Sequence, residues 1–217
     1  SAHELRGLAW VPADRAWVGE LTLLLETGFT VRPAVEADRA AIASVIAEAY
    51  RHEFARLSRD SDKITAALAP AVAVDRFFVA DRGGDVVGAV ACSDHTCRAM
   101  RLRPADWRLQ FGVVRGTLAG RILARQWMSE LDCPAGRAYL EFVAVAKRGR
   151  RQGVATKLVE GVIAQTGYTE FELEVTDVDT LARDCYRKIG FVDVGRKAVK
   201  FGRTKGFRER VYMRYPR

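Results

Sequence analysis

Residues 139–165 constrain the fold of this chain more than any other segment. Residues 139–145 form an apolar run interrupted only by Glu141, which reads as a strand. A turn follows at once, Arg148-Gly149-Arg150-Arg151-Gln152-Gly153-Val154-Ala155, and opens a helical pattern that runs to about Gln165. A strand that turns sharply into a helix points several unpaired backbone N–H groups at one place. The first helical turn also carries partial positive charge, so such a junction favours a phosphate. Gly153 and Ala155 are small enough to let a ligand approach the main chain, and Lys147, Arg148, Arg150 and Arg151 stand beside it. The same residues would also suit a tight solvated turn. Spacing excludes two common nucleotide loops. Three residues rather than four separate Gly149 from Gly153, and Val154 rather than a lysine follows, so this is not a P-loop. The three glycines of a dinucleotide fingerprint are absent too.

Charge points the same way without deciding it. The net charge of +8 lies almost wholly in the last third: residues 1–146 carry 18 basic and 18 acidic side chains, residues 147–217 carry 17 and 9. A cationic surface concentrates phosphorylated cofactors, nucleic acid or membrane headgroups. With 217 residues, 49% of them hydrophobic, the chain can bury the core of one domain and still carry an extra element. Its apolar runs fall short of the roughly 18 residues that cross a bilayer, and no basic-then-apolar leader is visible. The expected location is therefore the cytoplasm, with no membrane partner. Cys92, Cys97, Cys133 and Cys185 form no CxxC pair and only three histidines exist, so no metal is expected and the thiols read as free.

Residues 1–28 read as an N-terminal extension. Within it, 12–26 has helical spacing, with Trp17, Val18, Leu21, Leu24 and Leu25 on one side. Residues 29–217 read as one domain. Strands are expected at 29–33, 77–80, 86–92, 139–145, 171–175, 192–195 and 209–215, and helices at 37–50, 58–68, 111–131, 154–165 and 179–189. Residues 81–85 are a hairpin loop by composition. Residues 111–131 read as one helix that covers the sheet, with Val114, Leu118, Ile122 and Leu123 on one stripe.

The turn and its flanks, residues 145–155, resemble the acyl-CoA motif of the GNAT superfamily of acyl-CoA-dependent N-acyltransferases. That motif has the core Q/R-x-x-G-x-G/A, and Arg150, Gly153 and Ala155 fill its defining positions. A second block is similar to the family's N-x-x-A-x-x-x-Y-x-x-x-G-F segment. Asp179, Ala182, Tyr186, Gly190 and Phe191 match it, starting 29 residues after Arg150. Lys147 replaces a frequent proline and Asp179 the usual Asn. The second change bears on a side-chain contact to the cofactor, because an ionised Asp can only accept.

The resemblance implies an α/β (α+β) GNAT-like fold: a mixed, mostly antiparallel sheet of about seven strands with flanking helices and splayed strands at the cofactor site. It implies acetyl-CoA as acyl donor and direct attack on it by a primary amine, from a small molecule or a peptide. Backbone groups of Val143 and Val145 would meet the pantetheine arm. The amides of Arg150, Arg151, Gln152, Gly153, Val154 and Ala155 would hold the pyrophosphate, with Asp179 nearby. Glu141 is the candidate base. Alternation puts it on the same strand face as Val143 and Val145, and an isolated carboxylate in an apolar strand rises toward a useful pKa. Pairing with Arg137, or a water chain acting as base, are the alternatives. Tyr186 is the candidate acid that protonates the departing thiolate. Asp94 and His95 fall where relatives contact the acceptor. Cys185 reads as packing, and Glu170, Glu172 and Glu174 as one solvated strand face able to attract a cation. Two other readings fit the sequence: a non-catalytic acyl-CoA-binding regulator, and an RNA- or tRNA-associated acyltransferase. No RNA-reading motif is present, so nucleic acid is not the expected partner. A homodimer is compatible with the apolar N-terminal segment.

Overall fold

The computed structural model describes residues 28–131, 133–199 and 206–216. The helix expected at 12–26 lies outside these residues. Strand β1 (Thr30–Pro33) leads through a short 3-10 turn into α1 (Arg39–Ala49), and a four-residue helical turn, Arg51–Phe54, precedes α2 (Ser61–Leu68). The Asp60 carboxylate caps α2 by accepting from the Asp62 and Lys63 amides, at 3.1 Å each. Strands β2 (Phe77–Arg82) and β3 (Asp85–Ser93) form a hairpin around Gly83 and Gly84, both at positive φ (59° and 92°), as a two-residue turn of this hand requires.

Helices α3 (Pro104–Phe111) and α4 (Val113–Trp127) follow, then β4 (Arg137–Val145), α5 (Val154–Gln165), β5 (Glu170–Thr176), α6 (Thr180–Ile189), β6 (Val192–Ala198) and β7 (Glu209–Pro216). The strands join in one seven-stranded sheet of order β1-β2-β3-β4-β5-β7-β6. Among the described residues only the β4–β5 pair is parallel.

Alternation along the strands feeds two cores, one on each face. Ala89 and Ala91 of β3 join Ile42, Ile46, Leu68, Phe77 and Trp107 beneath α1 to α4. Val90 and Cys92 join Leu158, Val162, Phe171, Tyr186 and Phe191 beneath α5 and α6. At Gly161, α5 comes so close to the sheet that a Cβ would stand 2.6 Å from Val31 Cγ1.

The single helix expected at 111–131 is two helices, broken at Gly112 (φ 77°), and the first begins at Pro104. The expected buried stripe is also wrong. Gly116 and Gly120 are the buried positions, and a Cβ on Gly116 would meet Trp107 O at 2.4 Å, so α4 packs on α3 through its glycines. Leu123, Ala119, Ala124 and Trp127 continue that face into the core. Val114, Leu118 and Ile122 point outward instead. Hydrophobicity marked a stripe, but close backbone approach decided which face went in.

Candidate active site

The site lies where β4 and β5 part. Their pairing covers Arg137↔Glu170, Ala138↔Phe171 and Tyr139↔Glu172 and then stops, although β4 runs on to Val145 and β5 to Thr176. From Leu140 onward the β5-facing backbone of β4 therefore has no strand partner, which leaves room for a ligand along it. The departure coincides with a β-bulge. Between Ala89↔Ala144 and Ala91↔Glu141, β4 holds one residue more than β3, and Phe142 takes a left-handed backbone (φ 51°). Its ring is fixed by Tyr50, Phe77 and Trp127, at centroid distances of 6.2, 6.4 and 5.1 Å.

The bulge corrects one sequence expectation. An extra residue reverses the alternation, so Glu141 lies on the face of Ala89 and Ala91 while Val143 and Val145 pack into the core beneath α5. The three do not share a face. Nor is Glu141 isolated or paired with Arg137. Ser93 Oγ donates to its Oε2 at 2.5 Å, and Arg98 NH2 lies 2.5 Å from its Oε1. Arg137 pairs instead with Glu170 at 2.7 Å and Glu172 at 3.5 Å.

At the far end of β4 the chain turns into α5. Arg151 (φ 60°) and Gly153 (φ 76°) are both left-handed, which coils the intervening amides toward one side. The first backbone bond of α5 runs from Lys157 N to Gly153 O, 3.0 Å, so the amides just before it remain available at the positive end of a twelve-residue helix, while that of Arg150 is spent on Lys147 O at 3.2 Å. No atom lies within 4 Å of a Cβ placed on Gly153, so the approach is open. Several side chains hold the turn. Arg148 pairs with Asp85 at 2.6 Å, Gln152 Nε2 donates to Arg148 O at 2.9 Å, and the Lys147 amide donates to Glu48 Oε1 at 2.8 Å. Arg150 Nε donates to Val145 O at 3.3 Å. Arg151 is exposed, and among the described residues none pairs with it.

Tyr186 comes from α6 into the core beneath α5, its ring 6.0 Å from Phe191. Burial pushes its hydroxyl well above the usual tyrosine range, with Tyr50 adding to the effect, so it stays protonated through neutral pH. Tyr50 itself is pushed up by burial, with Glu53, Asp179 and Glu141 contributing. Across the gap from Glu141, on the same face, stands Glu174 of β5. Burial raises its carboxyl above the ordinary range, against the pull of Arg210.

The chain matches the model of the acetyltransferase (GNAT) family over residues 39–191. It belongs to the GNAT acetyltransferase family. Solved structures agree in fold. An N-acetyltransferase from Staphylococcus aureus is 16% identical, aligns over 86% of this chain and 100% of its own, and superposes with a TM-score of 0.58. A Corynebacterium glutamicum protein described as histone acetyltransferase HPA2 and related acetyltransferase is 24% identical over 87% and 96%, with a TM-score of 0.57. The yncA protein of Salmonella typhimurium, solved with its cofactor acetyl-CoA, is 18% identical over 87% and 94%, at 0.54. Comparison with curated proteins finds no match.

Acetyl-CoA is the acyl donor of this GNAT chain, and the donor set fits it: a free strand edge for an amide-bearing arm and unpaired helix amides for a pyrophosphate. No group of three or more His, Cys, Asp or Glu among the described residues could hold a metal. No described helix is long and apolar enough to cross a membrane. A separate cavity of about 400 Å³, lined by Arg39, Val72 and Arg101 among others, shares no residue with the motif turn.

Other expectations resolve into structural roles. Asp179 caps α6, accepting from Ala182 N at 3.1 Å, which an Asp does as well as an Asn. Asp94 is fully engaged by Arg76 (3.0 Å), Tyr168 (2.6 Å) and Thr96 (2.8 Å from its amide), and so ties down the loop after β3. His95, beside it, is exposed. Cys185 lies 3.2 Å from Thr156 Oγ1, joining α6 to α5. Glu170, Glu172 and Glu174 are each paired, with Arg137, Arg214 and Arg210, so they are not a free cation-attracting face. Tyr50, Ser93 and Arg98 were missed. They reach the site from α1's end, the last residue of β3 and the loop after it, and no local pattern marks them.

Proposed function

We propose that this GNAT protein is an N-acetyltransferase that moves an acetyl group from acetyl-CoA to a primary amine by direct attack in a ternary complex. The observation that carries this reading is the departure of β4 from β5, with a carboxylate, Glu141, beside the gap and open helix amides at its end. The amides of Arg151, Gln152, Gly153, Val154 and Ala155 hold the pyrophosphate, the amide of Arg150 being spent on Lys147 O. Arg151, unpaired among the described residues, adds a cation, and the backbone of Val143 and Val145 meets the pantetheine arm. Asp179 fixes α6, and with it Tyr186, at the same gap.

The cofactor supplies an acyl group activated as a thioester. An alkyl amine, with an ordinary pKa of about 10.4, is mostly protonated at neutral pH and must lose a proton to attack. Glu141 accepts that proton, directly or through one water, oriented by Ser93 and Arg98. As the C–N bond forms and the C–S bond breaks, the Tyr186 hydroxyl gives its proton to the departing sulfur. Amide and free thiol leave, and the proton on Glu141 passes through solvent to restore Tyr186. The acceptor is the amine of a small molecule or a peptide.

The test is a panel of small amines, polyamines, amino acids and peptides at millimolar concentration. Thiol release and product mass are followed together. The reading predicts acceptor-dependent release matched by a gain of one acetyl on nitrogen. Acetyl-CoA binding with no acetylated product from any amine, or acetylation on oxygen alone, would overturn it.

A further inference from the structure

The outer face of α4 and the end of α3 carry apolar side chains that stay outside both cores. Leu109, Val113, Val114, Leu118 and Ile122 are between 56% and 82% exposed. Side chains this exposed stand clear of the surface as a ridge rather than line a groove. A helix turns about 100° per residue, so Val114 and Ile122 lie about 40° to either side of Leu118 and the three form one stripe. Arg115 and Arg121 follow at about 60° on the two sides, and Arg125 extends the stripe toward the C-terminal end of α4. All three arginines are exposed. A contiguous apolar surface of this kind marks an interface.

Charge decides what such a ridge fits. Over residues 104–127, Arg108, Arg115, Arg121 and Arg125 stand against one carboxylate, Asp106, which is already paired with Arg103 at 3.1 Å. Arg115 donates to Leu57 O at 2.8 Å, a neutral acceptor that leaves its charge unbalanced. A second copy of the ridge would set these arginines against their like. A protein partner needs a matching shape, and a ridge of valine, leucine and isoleucine offers it no aromatic anchor. A bilayer needs no shaped pocket. Branched apolar side chains sink between its headgroups, while flanking arginines reach back to the phosphates.

We propose that α4 is a peripheral docking helix for an anionic lipid surface. Val114, Leu118 and Ile122 enter the boundary between headgroups and acyl chains, and Arg115, Arg121 and Arg125 meet the lipid phosphates. Leu109 and Arg108 of α3 widen the contact. No described helix can cross a membrane, but a helix that lies in the interface needs no spanning run. Opposite the ridge, Trp127 packs on Phe142 beside Glu141, with ring centroids 5.1 Å apart. Docking therefore holds the candidate site about one helix diameter behind the lipid surface. The proposal stands apart from the catalytic reading.

The test is sedimentation of the full chain with vesicles of phosphatidylcholine, alone or with about 30% phosphatidylglycerol, at low and high salt. Binding to the anionic vesicles should be at least about tenfold tighter than to phosphatidylcholine alone, and salt should weaken it. Leu118→Ser and Arg121→Glu should each weaken it by about tenfold or more. Leu181→Ser, at a still more exposed leucine on α6 across the sheet, should leave it unchanged. Because Leu118 is exposed in the free protein, Leu118→Ser should keep the parent Tm to within about 1 °C. No binding, equal binding to both vesicle types, or an equal loss in Leu181→Ser would overturn the proposal. A Tm lowered by about 3 °C or more in Leu118→Ser would also overturn it, because the ridge would then be covered within the chain. So would a dimer in lipid-free solution that Leu118→Ser dissociates, which would assign the ridge to a second copy.

Discussion

Phe142 holds a left-handed backbone that costs a non-glycine residue roughly 1–2 kcal/mol, and its ring, wedged among Tyr50, Phe77 and Trp127, offsets that cost. What the strain accomplishes is a reversal of side-chain alternation that puts Glu141 on the face opposite Val143 and Val145. Glu141→Gln should therefore lower kcat/KM about 100-fold, with acetyl-CoA affinity unchanged. An unchanged kcat/KM would reassign the base to a water chain. Tyr186→Phe should depress kcat by a similar factor, and a change confined to acetyl-CoA affinity would count against the acid role. Glu141 was legible because it is the only charge in an apolar run. Its partners were not, since Ser93 and Arg98 stand 48 and 43 residues away in the sequence. Asp94 and Asp38 predict the acid response of stability. Burial raises Asp94, but hydrogen bonds from Thr96 and Tyr168 and the charge of Arg76 prevail and hold it well below the carboxylate range. Arg32 holds Asp38 down against its own burial. A depressed folded pKa gives stability that is complete above the unfolded value, near 4, and is lost as pH falls through the folded value. The contribution of these two carboxylates to the urea midpoint should thus be constant from pH 7 to 5 and fall away below pH 4. Asp94→Asn should shrink that fall, and an unchanged acid slope would remove Asp94 from the account.

Elements with strong local signals emerged where the sequence put them. Alternation in residues 171–175 marked the strand found as β5, and Asp179 and Gly190 bound α6 as cap and left-handed stop. The α3–α4 hairpin defeated the same reasoning, because the periodic leucines and valines face outward and two glycines let one helix sink onto the other. Gly116→Ala tests that packing. Its Cβ would stand 2.4 Å from Trp107 O, with 2.6 Å to the Arg108 Cα, and neither backbone atom can yield cheaply. The expected cost is about 1–3 kcal/mol, seen as a lower urea midpoint. A neutral Gly116→Ala would mean that the hairpin packs loosely. The β4 bulge was illegible for a related reason: one extra residue in a strand leaves no mark in composition, and only the partner strand's register reveals it.

At the scale of the described residues, one sheet carries two cores and parts between β4 and β5, the only parallel neighbours among them. That break is what lets a seven-stranded sheet bind an extended ligand within its plane. The basic C-terminal third is explained only in part by the turn, for Arg183, Arg196, Arg210 and Arg214 are spent on Asp193, Glu209, Glu174 and Glu172. The family and its fold were legible because two motifs lie on the right elements in the right order. The acceptor was not, because the residues around Glu141, such as Tyr50, Ser93 and Arg98, lie on a helix end, a strand end and a loop far apart in the sequence. The most direct test is hydrogen exchange of the intact protein with and without saturating acetyl-CoA. Binding in the gap predicts slowed exchange at the amides of Val143, Val145 and residues 151–155, with little change on the β1 side. Protection confined to other segments, or no protection with acetyl-CoA demonstrably bound, would contradict the placement of the cofactor between β4 and β5.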